Sequence, residues 1–186
     1  MNIIKKTKKD SNKLIIIVIV LIIIASITTF EGKELISKSK IQTLETNMLT
    51  IQAKAKAYAE EIDAKIWTES DSQSDVDGDG NTPKDIARNS EFTSEKIGFT
   101  GPISVTNQEA LRQASQGITS SNYVAYEVTG NALINMGLKD IKNENYVVIF
   151  SKENYKLMDV IYPNGVNYKG TMHFTLSNLQ SILSDE

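Results

Sequence analysis

The sequence contains no cysteine. Without thiols the chain has no disulfide framework, no thiolate metal site and no cysteine nucleophile. It has a single histidine, His173, and no Ser, Asp or Lys near it at the spacing of a catalytic triad. No phosphate-cradling glycine pattern, HExxH or Gly-x-Ser-x-Gly motif occurs either. We therefore predict that the protein is not an enzyme, and an exported enzyme is the least favoured function.

An excess of basic charge is also missing. The 186 residues carry a net charge of −3. Residues 1–13 hold five lysines and one aspartate, a net +4, so the remainder of the chain carries −7. A mildly acidic exterior argues against nucleic acid as a partner.

One long apolar run stands out. Leu14–Ile27 contains no charged residue and follows directly on the lysines. Thr28, Thr29 and Phe30 extend the run to 17 residues, about the short limit for a helix that spans a bilayer. Backbone groups in hydrocarbon must pair within the segment, so lipid forces a helix. We predict an uncleaved transmembrane helix over residues 14–30, with a removed signal peptide or a buried soluble helix as alternatives.

The lysines also set an orientation for this helix. Five of them lie in the basic arm, residues 1–13, and fewer follow the span closely. The positive-inside rule then places the N-terminus in the cytoplasm and the C-terminal domain outside. The predicted location is the cell membrane, crossed once, with the lipid bilayer as a partner.

Helical periodicity continues beyond the span. Apolar residues recur in steps of three and four and so lie on one stripe of a helix, with polar residues between them: Ile41, Leu44, Met48, Ile51, Ala55, Tyr58, Ile62 and Ile66. Residues 31–67 are therefore predicted to be an amphipathic continuation of the helix. A rod this long needs lipid around its lower half and a packed layer against its upper half.

The rest of the chain divides into a variable region, residues 68–122, and a β-rich region, residues 123–186. The first is predicted to hold an acidic loop and short helices. One helix is predicted to start at Thr82–Asp85, with a cap residue and Pro at the first helical position, and to run to about Asn89. A second is predicted to start at a capping box, Thr106–Glu109. The second alternates apolar and polar residues in strand-like runs, of which Tyr146–Phe150 is predicted to be central. A strand is predicted over Lys156–Tyr162, with Met158, Val160 and Tyr162 on one face and Leu157 and Ile161 on the other. A turn is predicted at Pro163–Gly165, two short strands around Lys169-Gly170, and a closing helix over Thr175–Leu183.

These segments together predict the α+β class. The predicted architecture is a long N-terminal helix, transmembrane in its lower half and amphipathic in its upper half, packed on a small C-terminal antiparallel sheet. Trp67, Tyr58, Tyr162 and His173 are interpreted as packing residues of this fold rather than as ligands.

The acidic loop contains the one metal-like motif. Aspartates alternate along it and a glycine follows, as at the start of a calcium loop, where alternate side chains converge on one hard cation. The candidate calcium ligands are Asp75, Asp77, Asp79, Asn81 and Asp85. The twelfth position, where such loops carry a bidentate Glu, is Ile86 here, so Asp85, Asp71 or Glu69 would have to substitute. A solvated acidic turn without metal is the alternative interpretation.

The layout of arm, hydrophobic helix, amphipathic continuation, variable loop and C-terminal sheet resembles a type IV pilin or pseudopilin. Residues 44–60, LETNMLTIQAKAKAYAE, are similar to the second half of the long helix in pilin-like proteins of Gram-positive bacteria. Tyr126–Thr129, Asp159–Tyr162 and Thr175–Ser177 are similar to the same group. The resemblance implies assembly through helix-to-helix packing with other pilin-like subunits, as in pili and type II secretion-like systems.

The sequence departs from that family at the span. Members usually carry Gly before the span, an aromatic first mature residue and Glu at the fifth, and Lys13, Leu14 and Val18 hold those positions here. The usual prepilin cleavage signature is therefore absent. This implies a pilin-like protein that stays in the membrane rather than a major filament subunit.

Two functions are left open besides the disfavoured enzyme. The first is a membrane-anchored pilin-like structural or surface protein that acts by helix-helix assembly or display. The second is a tethered extracytoplasmic module that binds its partner in a calcium-dependent way and joins no filament. Calcium is the one cofactor that the sequence suggests.

Overall fold

The computed structural model describes residues 38–66, 82–114, 118 and 122–184. The predicted basic arm, the predicted span and most of the acidic loop, including Trp67, lie outside the described residues. Residues 38–42 belong to one compact unit and residues 43–184 to a second, which contains the sheet. Within the described part of the chain no helix has the length and apolar character needed to cross a bilayer.

Helix α1 covers the described residues 38–66. The predicted stripe is confirmed along it: Met48, Ile51 and Ala55 are fully buried, and Ile62 and Ile66 are nearly so. Polar residues occupy the other side, which is exposed. The buried face therefore follows from the 3.6-residue period of the sequence.

Several contacts join α1 to the remainder of the second unit. The Tyr58 ring meets the Phe99 ring edge-on, with centroids 6.1 Å apart. The Asn47 amide hydrogen-bonds the Tyr146 hydroxyl, and burial raises the pKa of Tyr146 to about 12. Lys65 pairs with Glu91 of the following helix.

Helix α2, Pro83–Phe92, begins where its sequence predicts. Thr82 is the N-cap and forms a capping box with Asp85, and Pro83 is the first helical residue. The helix runs three residues past the expected end near Asn89. Phe92 is 1% exposed and its ring stacks on Phe99 with centroids 5.5 Å apart, so burial of this ring extends the helix by almost a turn.

Among the described residues the sheet has five antiparallel strands in the order β1-β2-β3-β4-β5, so each strand pairs with its neighbour in the chain. This confirms the α+β class and the antiparallel sheet. The strands are β1 Thr100–Ile103, β2 Tyr123–Val128, β3 Tyr146–Ser151, β4 Leu157–Tyr168 and β5 Thr171–Thr175. The central position predicted for the YVVIF run is confirmed, and its five residues are all buried.

Apolar side chains cover both faces of the sheet. On one face the Phe92 ring packs against Tyr126 at 4.8 Å and against Phe150 at 5.1 Å between centroids. On the other face a cluster forms around helix α3, Gln108–Gln113. Its buried members are Ala110, Ala125, Val147, Ile149 and Ile161.

Two details of the predicted elements are wrong. The N-cap of α3 is Asn107 and not Thr106, because the Asn107 side-chain carbonyl accepts a 3.0 Å hydrogen bond from the Ala110 N–H. Met158 packs with the Ile161 cluster rather than on the opposite face. A register shift between β3 and β4 at this point adds one residue to β4 and reverses the alternation.

The predicted turn at Pro163–Gly165 is also wrong, because β4 continues through it. Ile161 pairs with Thr175 and Val166 pairs with His173, so residues 162–165 bulge opposite one residue of β5. Gly165 permits the bulge, since its φ is +64° and an added Cβ would lie 2.6 Å from the Phe174 ring. Pairing with β5 thus overrides a strong local turn signal.

The remaining connections follow their sequence signals. Helix α4, Gly130–Asn135, ends in a Schellman motif: Leu138 N–H donates to Leu133 C=O at 2.8 Å, and the intervening Gly137 has φ +88°. A short 3₁₀ turn, Lys139–Ile141, leads towards β3. Lys169 and Gly170 both have positive φ and form the predicted two-residue hairpin turn. Helix α5, Leu176–Ser184, closes the chain as expected.

Candidate functional site

Asp85 is the one candidate calcium ligand within the described residues; Asp75, Asp77, Asp79 and Asn81 lie outside them. One Asp85 oxygen accepts hydrogen bonds from the Thr82 N–H at 2.8 Å and the Thr82 hydroxyl at 2.7 Å. The other lies 3.7 Å from an Arg88 nitrogen. The Asp85 carboxylate is therefore part of the capping box that begins α2. Calcium binding stays a prediction, and no group of three metal-ligating side chains occurs among the residues described.

Arg88 connects three elements around Asp85. Its Nε donates to the Asp63 carboxylate of α1 at 2.8 Å. Its guanidinium carbon lies 4.2 Å from the centre of the Tyr155 ring, in the turn between β3 and β4. A guanidinium can hold a carboxylate with its edge and an aromatic ring with its face, so this one side chain links α1, α2 and the β3–β4 turn.

Tyr155 has an unusual backbone conformation. Its φ is +50°, a region that tyrosine rarely adopts, and its N–H donates to the Ser151 carbonyl at 2.9 Å. This conformation turns the side chain inward, where Tyr155 is only 4% exposed. Backbone strain of this kind persists only where the surroundings hold it, and it is common at functional sites.

The hydroxyl groups complete a polar network that we name the Tyr155 cluster: Asp63, Asp85, Arg88, Asn89, Tyr126 and Tyr155. The Tyr155 hydroxyl contacts the Tyr126 hydroxyl and the Asp85 carboxylate, and Tyr126 donates to the Asn89 side chain. Burial raises the pKa of both tyrosines, and Asp85 raises that of Tyr155 further. Both phenols therefore stay protonated near neutral pH and supply hydrogen bonds, not a general base.

A groove of about 440 Å³ opens beside this cluster. Its buried floor is formed by Ala59, Tyr155 and the half-buried Leu157. Charged residues of both signs surround it, namely Lys56, Glu60, Asp63 and Lys156. The volume is within the range of small-ligand sites, and the mixed rim suits a ligand that carries both charges, such as a peptide segment.

The other sequence-predicted packing residues behave as interpreted. His173 is 7% exposed and its Nδ1 hydrogen-bonds the Asn178 side chain at the start of α5. The Tyr162 ring packs on Tyr146 with centroids 5.3 Å apart. His173 is therefore buried, whereas Tyr162 and Tyr58 are half-buried and pack against Tyr146 and Phe99.

Sequence reasoning missed the Tyr155 cluster. Its members come from four separate elements, and no periodicity joins them. One available signal was Arg88 on α2, because Asp85 lies three residues before it and therefore within one helical turn.

The comparisons with known proteins add no relative: no family model, no curated protein and no solved structure matches this chain.

Proposed function

We propose that this chain is a membrane-anchored, pilin-like structural or surface protein with an extracytoplasmic α+β head. In this proposal α1 is the outer part of a longer helix whose inner part, residues 14–30, lies in the bilayer. The N-terminal arm stays in the cytoplasm. The protein acts by assembly with other pilin-like subunits or by display, and it catalyses no reaction.

One observation carries the proposal, and it is the division of α1 into two sides. The apolar side is buried inside the α+β domain, where Met48 and Ile51 are fully buried. The other side remains exposed and includes Leu49, at 36% exposure. A helix that both covers a sheet and leaves one side open can serve the head and a neighbouring subunit together.

Membrane anchoring is tested on the full-length chain in a bacterial host. We expect it to remain in the membrane after alkaline carbonate extraction. Replacing Leu21 and Ile23 by Arg should release it, because charges at the centre of a span are costly. An Ile86→Cys thiol, at a site that is 52% exposed, should react with an impermeant maleimide on intact cells. Release of the unaltered chain by carbonate, or labelling only after lysis, would contradict the proposal.

Assembly is tested by cysteine crosslinking on the two sides of α1. Leu49→Cys should form disulfide-linked dimers between subunits in the membrane. Met48→Cys is the matched control, because the neighbouring side chain is buried in the head and should not crosslink. If Leu49→Cys stays monomeric at every expression level, the assembly proposal fails and a tethered module is favoured.

A calcium-dependent binding module remains the second candidate, and the groove beside the Tyr155 cluster favours it. The groove is lined by Tyr155, whose hydroxyl contacts Asp85, and Asp85 follows the acidic loop closely in the chain. If calcium orders that loop, the melting temperature of the full chain should rise with calcium and fall with chelator, and Asp77→Asn should remove the difference. An unchanged melting temperature would exclude calcium.

A further inference from the structure

A second, smaller cavity lies on the α3 face of the sheet. Its volume is about 170 Å³, and it is far smaller than the groove beside Tyr155. Its apolar lining includes Ile103, Val147 and Ile161, and its polar lining consists of Ser104, Thr106, Asn107, Glu127 and Asn145. A cavity of this size has room for roughly five or six atoms of ligand, at about 30 Å³ for each water-sized group.

A hydrogen bond joins two of these polar residues, Asn145 and Glu127. The Asn145 Nδ2 group donates to a Glu127 carboxylate oxygen at 2.5 Å. This bond fixes the orientation of the amide, because the alternative would place two oxygens against each other. The Asn145 Oδ1 atom is then buried, and no donor among the described residues reaches it.

Glu127 lacks a positive partner within the described part of the chain. It is half-buried in β2, opposite Thr100 and Val147, and no lysine, arginine or histidine of the described residues forms an ion pair with it. A carboxylate beside apolar walls is costly unless a cation or donors compensate it. Here the Glu127 carboxylate, which accepts one hydrogen bond from Asn145, can accept further hydrogen bonds from a ligand, whereas the buried Asn145 Oδ1 atom is out of a ligand's reach.

The chemistry of the cavity selects among ligands. An anion is repelled by Glu127. A calcium ion needs six to eight oxygen ligands, usually with several carboxylates among them, and Glu127 is the one carboxylate among the described residues that line this cavity. A primary ammonium has three donors and one positive charge, and its alkyl stem fits apolar walls.

We infer that the cavity lined by Glu127 and Asn145 is a binding site for a primary alkylammonium group, either a free amine or the side chain of a lysine from another chain. Glu127 supplies the charge and Asn145 holds its carboxylate in place. The alkyl stem contacts Ile103, Val147 and Ile161. This site is independent of the proposed membrane role.

The test uses NMR on the full-length chain in detergent, titrated with n-butylammonium chloride. The side-chain amide signals of Asn145 should move with saturation, and sodium chloride at equal concentration should not move them. Glu127→Gln should weaken binding at least 10-fold, while its amide oxygen can still accept from Asn145. Glu153→Gln is the matched control, because it removes one exposed charge from the β3–β4 turn and should leave binding unchanged.

Three results would overturn the inference. The first is no movement of the Asn145 signals up to saturating amine, which would leave the cavity with solvent only. The second is equal binding by n-butanol, which would make the site merely apolar. The third is unchanged affinity in Glu127→Gln. A peptide, acetyl-Gly-Lys-Gly-amide, distinguishes the source: tighter binding than butylammonium identifies a protein lysine, and weaker binding identifies a small amine.

Discussion

Replacing Arg88 by Met tests whether the Tyr155 cluster stabilises the packing of α1, α2 and the β3–β4 turn against one another. Met keeps the length and apolar stem of the side chain but removes its charge and all its donors. Arg88 is 17% exposed at its side chain, and Asp85 is 11% exposed, so this pair is shielded from water. Asp63 is 42% exposed at its side chain and is therefore partly screened.

The expected cost follows from the three contacts. The contact with the Tyr155 ring is worth about 1 kcal/mol. The hydrogen bond to the half-exposed Asp63 adds about 0.5–1 kcal/mol after screening. Leaving the buried Asp85 without its cation adds about 1 kcal/mol more. We therefore expect Arg88→Met to lower the free energy of unfolding by about 2–3 kcal/mol.

The assay is urea unfolding of the full-length chain in detergent, followed by near-ultraviolet circular dichroism of the buried aromatic rings. Arg112→Met is the matched control. Arg112 makes a shorter, two-pronged pair with Glu109, but its side chain is 75% exposed, so no change beyond experimental error is expected. Equal effects of the two substitutions would refute the view that burial, and not the presence of an ion pair, decides the stability. In a double-mutant cycle, Asp85→Asn should recover part of the loss.

Three further predictions concern the sheet. Burial raises the pKa of Asp159, so the folded chain binds a proton more readily than the unfolded chain. The free energy of unfolding should therefore fall as the pH rises from the unfolded-state pKa to the higher folded-state pKa. Urea unfolding near pH 4 and pH 7 should show that Asp159→Asn gains stability relative to the wild type at the higher pH. The Gln113 side chain bonds the outer backbone edge of β5 at 2.9 Å twice, so Gln113→Ala should expose a strand edge, and light scattering should detect self-association that increases with concentration. Gly165→Ala should destabilise by more than about 1–2 kcal/mol, because a Cβ would clash with Phe174, and Gly170→Ala, with open space around it, should cost clearly less in the same denaturation assay.

Local sequence signals predicted much of the fold. The capping box at Thr82 depends on residues three positions apart, and the end of α4 depends on one glycine, Gly137, followed by Leu138. The central strand is a continuous apolar run, and the stripe on α1 repeats over many turns. Each of these signals lies within a few residues of the structure that it specifies, so a single sequence reveals it.

The errors and omissions have a different origin. Pro163-Asn164-Gly165 is a strong local turn signal, but pairing with β5 on both sides keeps the strand continuous, and the three residues become part of the bulge at residues 162–165. The Tyr155 cluster and the Glu127–Asn145 pair join residues far apart in sequence. Their geometry depends on the packed sheet, and composition and periodicity do not contain that information.

The pairing of every described strand with its neighbour in the chain has a consequence for how the sheet folds during synthesis. Each new strand needs only the strand that was synthesised just before it. The connections β3–β4 and β4–β5 are hairpins, and the two earlier ones hold α3 and α4, so no strand waits for a partner from far along the chain. The head can thus be completed from β1 towards α5 in the order of synthesis, without waiting for a distant strand. Because β5 is the last strand to arrive, Gln113 is already present to cover its outer edge when it docks.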